Sequence, residues 1–576
     1  MELSTSRPRV LGWLRSAAIL DGDWGTSIAY VLGIAFAVGG YNSGWHLLMM
    51  LAFTAMIAIN YVTICRLYPG GGGVYSSVSH RSKSFAVIGA LLLSADYVVT
   101  ASLSVLDACH YFNVEYPEIW AISIIVAIGV LNWFGPKHGG TLAITISIAT
   151  LVGLLILVAF TAPTASQHLS LQPITGGFFE NWGIFVGIIL SISGIEAISN
   201  MTGIMKDPMR GSRKAILTVM AKISIATMIL GLAMLAIPNL DRVAHKEDMI
   251  RFLGETYVGN WFGPIIGIVL GFLLVSAGNT SINALTSIQF LMSVDGELPK
   301  GLRRLNKYGV PVIPLIVATL IPVVLLLFIH DVLILAQLYA IGVVGAIAIN
   351  IGSTGTDRGI TLPKWNRGFM ILSASILILI ETTIAVEKTK ALIFAVSVLI
   401  VGLAARQLAR RQAATVTAAA PAMVKIPEAV SVAGATRPES IAFESKMMVS
   451  VRGGGEKLLR QACEEAKLRK AFLFVLQIKQ IAVTGLLPDK VPAESFVNQE
   501  WMETICKQYG IPFRVISILS SEVGYTIAEQ AATFGIDRLV LGATQRTLVE
   551  KALRGDILRT VSELLPEEIQ LIIYRA

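Results

Sequence analysis

The stretch AILDGDWGTSIAYVLGIAFAV, residues 18–38, is apolar for long enough to cross a bilayer and nevertheless carries a carboxylate, Asp23. A second run of this kind, GIFVGIILSISGIEAISNMTGI at residues 183–204, carries Glu196. A charge at membrane depth costs a few kcal/mol, so each acid is a candidate functional residue. Glycine lies close to each acid in the sequence and favours a local break. The two runs therefore predict membrane helices that are interrupted near mid-depth, as in transporters with discontinuous helices.

The composition predicts a polytopic membrane protein. Hydrophobic residues make up 54% of the chain and charged residues 15%, and the mean hydropathy is +0.69. These values exclude an ordinary soluble protein. We count about twelve apolar runs of roughly 17 to 25 residues, the length that spans the hydrocarbon core of a bilayer. We therefore predict an all-α transmembrane domain at residues 1–405.

The loop charges predict the orientation in the membrane. If the amino terminus lies inside, the clusters of lysine and arginine in the loops all fall on the cytoplasmic side, and the acidic 241–255 loop falls outside. Both termini are then cytosolic, and the expected location is a bacterial-type cytoplasmic membrane. This topology accounts for most of the net charge of +8, so nucleic-acid binding is not needed to explain it. The four cysteines include no pair at metal-ligand spacing.

The composition changes after the last apolar run. Residues 406–445 include a stretch rich in Ala, Val, Thr and Pro and are expected to form a linker. From residue 446 to 576, short β-branched runs such as KMMVSVR and AFLFVLQI alternate with amphipathic stretches such as EKLLRQACEEAKL. This alternation predicts a cytosolic α/β domain with a parallel sheet that is covered on both faces.

Three motifs in the membrane half resemble one superfamily. They are YPGGGGVYSSVSHR at residues 68–81, SGIEAISNMTGIMKDP at residues 193–208 and GNTSINALTSIQFLMSVDGELP at residues 278–299. Together they resemble the amino acid-polyamine-organocation superfamily over nearly all of residues 15–405. The resemblance implies the LeuT-type fold, in which two inverted repeats of five helices meet at a midplane site and two further helices follow.

The first interrupted helix bears on the substrate. Amino acid permeases of this superfamily usually have a glycine-rich break there, and its free N–H groups take the substrate carboxylate. In this chain the segment is DGDWGTSIAY, and Asp21 and Asp23 near the break would repel a carboxylate. An acid suits a cation better, and the local patterns resemble the KimA-type potassium importers. The residues that carry this resemblance, and our candidates for binding the substrate ion, are Asp23, Tyr30, Asp96, Thr100, Ser104, Ser193 and Glu196.

The spacing of the candidates supports their grouping. Asp96, Thr100 and Ser104 recur every four residues, so a helix places them on one face. Potassium needs several oxygen ligands to replace its hydration shell, and hydroxyls and freed carbonyls supply them. We expect potassium itself to be held at Asp23, Tyr30, Thr100, Ser104 and Ser193. A buried glutamate can exchange protons near neutral pH, which makes Glu196 the candidate for proton coupling.

Each candidate also has a structural interpretation. Serine and threonine in membrane helices commonly bond to the preceding turn or join helices, which would explain Thr100 and Ser104 without a ligand. Asp23 could lie at the membrane interface or cap a helix half together with Asp21. A glutamate like Glu196 also occurs in amino acid transporters of the superfamily. Asp107 and Glu381 also lie within or near apolar runs, and we interpret them as helix-end or helix-pairing residues.

The tail resembles a universal stress protein domain. That family often binds ATP through G-x2-G-x9-G-S/T, and here Gly542 and Gly555 fit the spacing while Gln545 and Asp556 replace the other two positions. An acid opposes a phosphate and a side chain obstructs close backbone approach, so ATP is not expected as a cofactor. Arg452 could hold another anion such as a signalling nucleotide, so Arg452, Gly542 and Gly555 remain weak nucleotide candidates. Dimer packing is the expected role of this domain.

The leading hypothesis is a secondary transporter that imports potassium with protons and forms a homodimer through the cytosolic domain. The alternative is a proton-coupled amino acid permease of the same fold, in which Glu196 and the first break bind a zwitterion. A sensor that signals through the tail is less favoured, because the tail has no kinase or phosphotransfer motif. No combination of nucleophile, histidine and acid predicts an enzyme, and the seven histidines are scattered.

Overall fold

The computed structural model describes residues 4–6, 9, 11–71, 73–135, 140–167, 174–419, 445–451, 455–482, 500–543 and 556–574. In the first part of the membrane half the helices are α1 (Trp13–Asp21), α2 (Ser27–Gly39), α3 (Ser43–Leu67), α4 (Val74–Ser79), α5 (Lys83–Phe112), α6 (Pro117–Trp133), α7 (Gly140–Gln167), α8 (Phe178–Gly187) and α9 (Ala197–Met201). Those that follow are α10 (Pro208–Leu235), α11 (Met249–Tyr257), α12 (Phe262–Val294), α13 (Val312–Phe328), α14 (Val332–Thr356), α15 (Lys364–Glu387) and α16 (Thr389–Ala419).

Many of the described helices are long enough to cross a membrane. Eight helical stretches are long and apolar enough to cross one by length and composition, and α6 and α13 are shorter apolar helices. The helical membrane-type domain predicted from composition is confirmed. The last helix, α16, continues beyond residue 405 to Ala419, and Arg406 on it pairs with Glu297, both side chains being buried.

Both acidic runs are interrupted helices. In the first, α1 ends at Asp21 and α2 begins at Ser27, with a 3-10 turn at Trp24–Thr26 between them. In the second, α8 ends at Gly187, a 3-10 turn follows at Ile189–Ile192, and α9 begins only at Ala197.

The two breaks touch each other at Gly194. Its φ of +91° is a left-handed value that favours glycine, and a Cβ there would lie 2.5 Å from the main-chain nitrogen of Trp24. Glycine is therefore needed at this position for two reasons, its own backbone conformation and the close approach of the other break. The contact brings the backbone of the first acidic run against that of the second.

Helix α5 is the central element of the membrane half, and it is buried along most of its length. It packs against α12, where Gly278 faces Val105, and against α14, where Gly342 lies on the backbone at Asp96. Small residues let membrane helices approach closely, and Gly342 brings α14 against α5 at Asp96.

The tail forms a parallel six-stranded sheet. Its strands are β1 (Ser4–Ser6), β2 (Lys446–Val451), β3 (Phe472–Gln480), β4 (Phe513–Ser520), β5 (Arg538–Gly542) and β6 (Gln570–Tyr574), in the order β1-β4-β3-β2-β5-β6. The helices beside it are α17 (Glu456–Leu468), α18 (Glu500–Tyr509), α19 (Val523–Phe534) and α20 (Ile557–Leu564). Helices α17 and α18 contribute to one apolar cluster on the sheet, and α19 and α20 to another. The predicted α/β sheet, covered on both faces, is confirmed.

The two halves of the chain are joined at two places. Strand β1 comes before the first membrane helix in sequence, yet it pairs in parallel with β4 at the edge of the tail's sheet. At the end of β3, Ile481 packs with Phe290 of α12, and the N–H of Ala482 donates to the carbonyl oxygen of Gly309 at 2.9 Å. The segment leading into the first broken helix is thus held by the α/β domain.

Candidate functional site

Three buried carboxylates surround the meeting point of the two breaks. Asp23 lies in the first break, Glu196 ends the second, and Asp96 projects from the central helix α5. Their exposed fractions are 6%, 4% and 1%. Each of the two aspartates is close enough to Glu196 to feel its charge. Residues from three segments that are far apart in sequence are therefore brought into one acidic centre.

Asp96 joins α5 to the second break. Its Oδ1 accepts a hydrogen bond from Ser193 Oγ at 3.5 Å and lies 3.3 Å from Thr100 Oγ1. The Thr100 hydroxyl lies closer, at 2.8 Å, to the main-chain oxygen of Asp96, so it also makes the bond to the preceding turn that is common in membrane helices. The other oxygen, Oδ2, has no hydrogen-bond partner in the part of the chain that the structure describes.

Glu196 folds back onto its own break. Its Oε2 accepts the N–H of Gly194 at 3.0 Å, and its main-chain oxygen accepts the hydroxyl of Ser199 at 2.6 Å. The N–H group that the break frees is thus taken by a protein carboxylate.

Asp23 has the fewest described hydrogen-bond partners of the three acids. It stands at the N-terminal end of the 3-10 turn but makes no side-chain cap, which excludes the capping interpretation for this residue. Within the described ranges, no hydrogen bond or ion pair reaches its carboxylate. Tyr30, one of the predicted ligands, is buried on α2 beside the side chains of Thr26 and Tyr339.

Ser104 is the one sequence candidate that is not joined to this centre by a described contact. It is 1% exposed and lies on α5, one turn beyond Thr100 on the side away from the α/β domain. Ser104 lies on the same face of α5 as Asp96 and Thr100, as the spacing of four residues predicts.

Three tyrosines belong to the centre and were missed by the sequence analysis. Tyr61, Tyr97 and Tyr339 are at most 3% exposed and lie within the electrostatic reach of the acids. The hydroxyl of Tyr97 accepts a hydrogen bond from Asn200 Nδ2 at 3.2 Å. A signal was present for one of them, because Tyr97 follows Asp96 directly in DYVVTASLS. Their phenol groups add neutral oxygen atoms to the surroundings of the three acids.

Asp21, two residues before Asp23, has a quite different environment. Lys222 of α10 donates to both of its carboxylate oxygens at 2.7 Å, and Ser147 of α7 donates to Oδ2 at 2.6 Å. Both charged side chains are buried, at 2% exposed for the acid and 10% for the lysine. Sequence reasoning missed Lys222, although a lysine inside an apolar run is the same kind of signal that identified Asp23 and Glu196.

The charges of the centre do not balance. No lysine, arginine or histidine among the described residues forms an ion pair with Asp23, Asp96 or Glu196. In the same described part, no group of three metal-ligating side chains is close enough to hold a metal ion between them. Protons or a cation would offset the charge of these acids.

Two further acids lie in the apolar part. Asp107 of α5 is completely buried and neither of its oxygens has a hydrogen-bond partner in the described residues, so a helix-end or helix-pairing role is not supported. Glu381 of α15 packs beside Gly345 of α14, which agrees with the helix-pairing interpretation, and its Oε2 has no described partner.

The nucleotide candidates of the tail are mostly outside the described residues. Arg452 and Gly555 lie outside them, as does Gln545. Gly542 is the last residue of β5. Asp556 accepts the N–H of Leu558 at 3.0 Å and caps α20, which is a structural role for the acid that replaces the family's hydroxyl residue.

Comparison with known proteins agrees with this architecture. A family profile described as "Amino acid permease" matches residues 11–354. The Potassium transporter KimA of Bacillus subtilis (strain 168) is 25% identical over 314 residues, covering 50% of this chain and 51% of that protein. The Lysine-specific permease LysP of Escherichia coli (strain K12) is 24% identical over 38% of this chain and 49% of its own length.

A further relative is the L-asparagine permease of Salmonella typhimurium, which is 24% identical over 38% of this chain and 48% of that protein. The chain spans about half of the length of these three relatives. A solved universal stress protein in complex with cAMP matches 23% of this chain and 96% of its own, at 16% identity and a TM-score of 0.19. A TM-score this low carries no conclusion, and the α/β fold of the tail rests on its own strands and helices.

Proposed function

The chain belongs to the amino acid permease family, and from this premise we propose that it is a secondary transporter that imports potassium together with protons. The observation that carries the proposal is the acidic centre between the two broken helices. Three buried carboxylates lie there without a cationic partner in the described residues, although Asp21 nearby has its own lysine. A buried charge needs a counter-charge, and a transported cation supplies it.

The acids at the two breaks argue against an amino acid as the substrate. A zwitterion needs free N–H groups for its carboxylate, as at a helix N-terminus. Asp23 would repel a substrate carboxylate from the first break, and in the second break the N–H of Gly194 is already bonded to Glu196. The amino acid alternative is supported by the lysine and asparagine permeases among the relatives, and for this reason it is included in the test.

The donor set suits potassium. Neutral oxygens are provided by the hydroxyls of Tyr30, Ser193 and Thr100, and one or two carboxylates supply charge. Such mixed oxygen ligands replace the hydration shell of a weakly hydrated monovalent ion. Glu196 is assigned the proton, because its contact with the break couples its charge state to the position of Gly194.

The same proposal covers orientation and assembly. We place the protein in a bacterial cytoplasmic membrane, with the α/β domain and both termini on the cytosolic side, in agreement with the basic loops. The α/β domain is assigned to homodimer packing and, through residues near Arg452, to binding an anionic signalling nucleotide. Crosslinking of the purified full chain, with and without such nucleotides, tests both assignments.

Growth of cells that lack potassium uptake tests the transport activity. Expression of the protein should restore growth at low potassium, and Asp23→Asn should abolish this without lowering the amount of protein in the membrane. Asp241→Asn, which changes an exposed acid far from the centre, is the matched control and should behave like the wild type. Absence of potassium-dependent growth, together with uptake of labelled lysine or asparagine, would establish the alternative.

A further inference from the structure

Asp107 is a carboxylate that the central site does not use. It lies on α5, its side chain is 0% exposed, and neither Oδ1 nor Oδ2 has a hydrogen-bond partner among the described residues. An isolated ionised carboxylate is costly in an apolar interior, so such a group is retained where something offsets its charge. No described lysine or arginine pairs with it.

Asp107 lies on the same face of α5 as the candidates for the central site. The steps from Asp96 to Thr100, Ser104 and Asp107 are four, four and three residues, which keeps all four on one side of a helix. At a rise of 1.5 Å per residue, Asp107 lies about 16 Å along the axis from Asp96. Asp107 is therefore separate from the central site, towards the end of α5 that is away from the α/β domain.

Helix α5 contacts α2 close to Asp107. One turn further out, the hydroxyl of Tyr111 donates to the main-chain oxygen of Ala29 at 2.6 Å and ties α5 to α2. Tyr30, the predicted ligand on α2, lies within electrostatic reach of Asp107. Tyr30 is also within electrostatic reach of Asp23.

The 236–248 loop, which connects α10 with α11, lies against α2 close to Asp107. The main-chain oxygen of Lys246 lies directly on Gly33 of α2, where any Cβ would collide with it. Glu247 and Asp248 on the loop are within electrostatic reach of Asp107 and add negative charge around it.

The basic groups of the loop are engaged with other acids. Lys246 Nζ lies 3.3 Å from Asp331 and 3.5 Å from Glu247, and His110 lies 3.3 Å from Glu247. His245 is 3.1 Å from Asp248. None of these cationic groups makes a described ion pair with Asp107, so no described side chain balances its charge.

We infer that Asp107 is an outer binding site for a monovalent cation, which an ion passing the 236–248 loop occupies before it reaches Asp23 and Asp96. This inference rests on the proposed function. Glu247 and Asp248 add negative charge beside the site, and the buried carboxylate of Asp107 replaces part of the hydration shell of the ion. The site therefore increases the apparent affinity of transport.

Uptake of rubidium by the full-length protein in liposomes tests the inference. We expect Asp107→Asn to raise the half-saturating rubidium concentration about tenfold, a larger effect than on the maximal rate, while Asp107→Glu retains more of the affinity. Glu568→Gln, which changes an exposed acid of the α/β domain, serves as the control. An unchanged half-saturating concentration in Asp107→Asn overturns the site, and so does a change confined to the pH dependence of uptake, which would identify a proton carrier.

Two further results separate the possible failures. If the wild type takes up no rubidium or potassium, the proposed function fails and the outer site fails with it. If Asp107→Asn does not fold, anomalous scattering from wild-type crystals grown in rubidium decides the question. A rubidium peak beside the Asp107 carboxylate supports the inference, and a peak at the central acids alone overturns it.

Discussion

Two carboxylates of the first broken helix, Asp21 and Asp23, are separated by one residue and have opposite environments. Asp21 ends α1 and is bonded through both oxygens to Lys222, with Ser147 as a third partner. Asp23 stands in the break, equally removed from bulk water, and no described cation reaches it. The difference supports our proposal that Asp21 belongs to the scaffold and Asp23 to the transport site, because only Asp21 has a described counter-ion within the chain.

The largest effect is expected from breaking the scaffold pair. Lys222→Met leaves Asp21 buried and unpaired, and removing one partner of a buried ion pair costs about 3–5 kcal/mol of unfolding free energy. The double variant Lys222→Met with Asp21→Asn should recover most of this loss, because no uncompensated charge remains. Thermal unfolding of the purified protein in detergent measures both. Equal stability of the wild type and Lys222→Met would show that the pair does not support the scaffold.

A smaller but still large effect is expected at the contact between the breaks. Gly194→Ala places a Cβ 2.5 Å from the nitrogen of Trp24 in a residue with φ of +91°, and we expect a loss of about 2–3 kcal/mol. The displaced segment carries Asp23, so uptake should fall at least as strongly as stability. The Asp21–Lys222 pair lies outside the collision and should persist.

Gly187→Ala is the matched control for this experiment. Gly187 has no left-handed φ, and a Cβ there would meet its nearest atom, Val38 Cγ1, at an ordinary 3.4 Å. The free energy of unfolding of this variant should lie within about 0.5 kcal/mol of the wild-type value. If the two glycine variants behave alike, the close approach of the two breaks has no energetic role.

The proton assignment predicts a change in pH dependence rather than in stability. Glu196→Gln keeps the size of the side chain and its acceptor for the N–H of Gly194, but removes the exchangeable proton. We expect uptake that no longer varies with external pH and that does not respond to an imposed proton gradient. Potassium uptake by liposomes with and without that gradient measures this. A variant whose uptake still follows the gradient would reassign the proton to another acid.

The sequence located the breaks but not the partners of their acids. Glycine next to acid in an apolar run is a local pattern, and so is the spacing of Asp96 and Thr100, which is why these features were predictable. Lys222 is 201 residues from Asp21, and only the packing of α10 on α1 makes them neighbours. The contact between Gly194 and the main chain of Trp24 likewise depends on how the two broken helices pack, and no local sequence pattern encodes this packing.

The α/β domain shows the same limit. Alternation of β-branched and amphipathic segments predicted β2 to β6 and their cover of helices. Strand β1 has only three residues and lies ahead of a membrane helix, so it carries no periodicity to reveal that it pairs with β4. The pairing is a consequence of an open sheet edge, which offers unpaired backbone groups to any nearby extended segment.

The smallest loss of unfolding free energy is expected for a paired carboxylate near the surface. Comparing this loss with that of Lys222→Met shows how much of the effect at Asp21 depends on burial. Asp357, just after α14, accepts a hydrogen bond from exposed His80 at 2.8 Å, and this bond together with the N–H of Gly359 lowers the pKa of the aspartate. Because the folded-state pKa is below the unfolded one, the stabilisation is complete above about pH 4 and is lost as the pH falls through the folded value.

Asp357→Asn should therefore cost less than about 1 kcal/mol near pH 7, as is usual for exposed pairs, and the difference from the wild type should shrink in acid. Unfolding by denaturant at several pH values between neutrality and pH 3 measures it, with Lys222→Met in parallel. If the surface variant lost as much stability as the buried one, pairing alone would account for the effect. The contrast between Asp21 and Asp23 would then reflect the presence of a partner and owe nothing to the apolar surroundings that make an unpaired carboxylate costly.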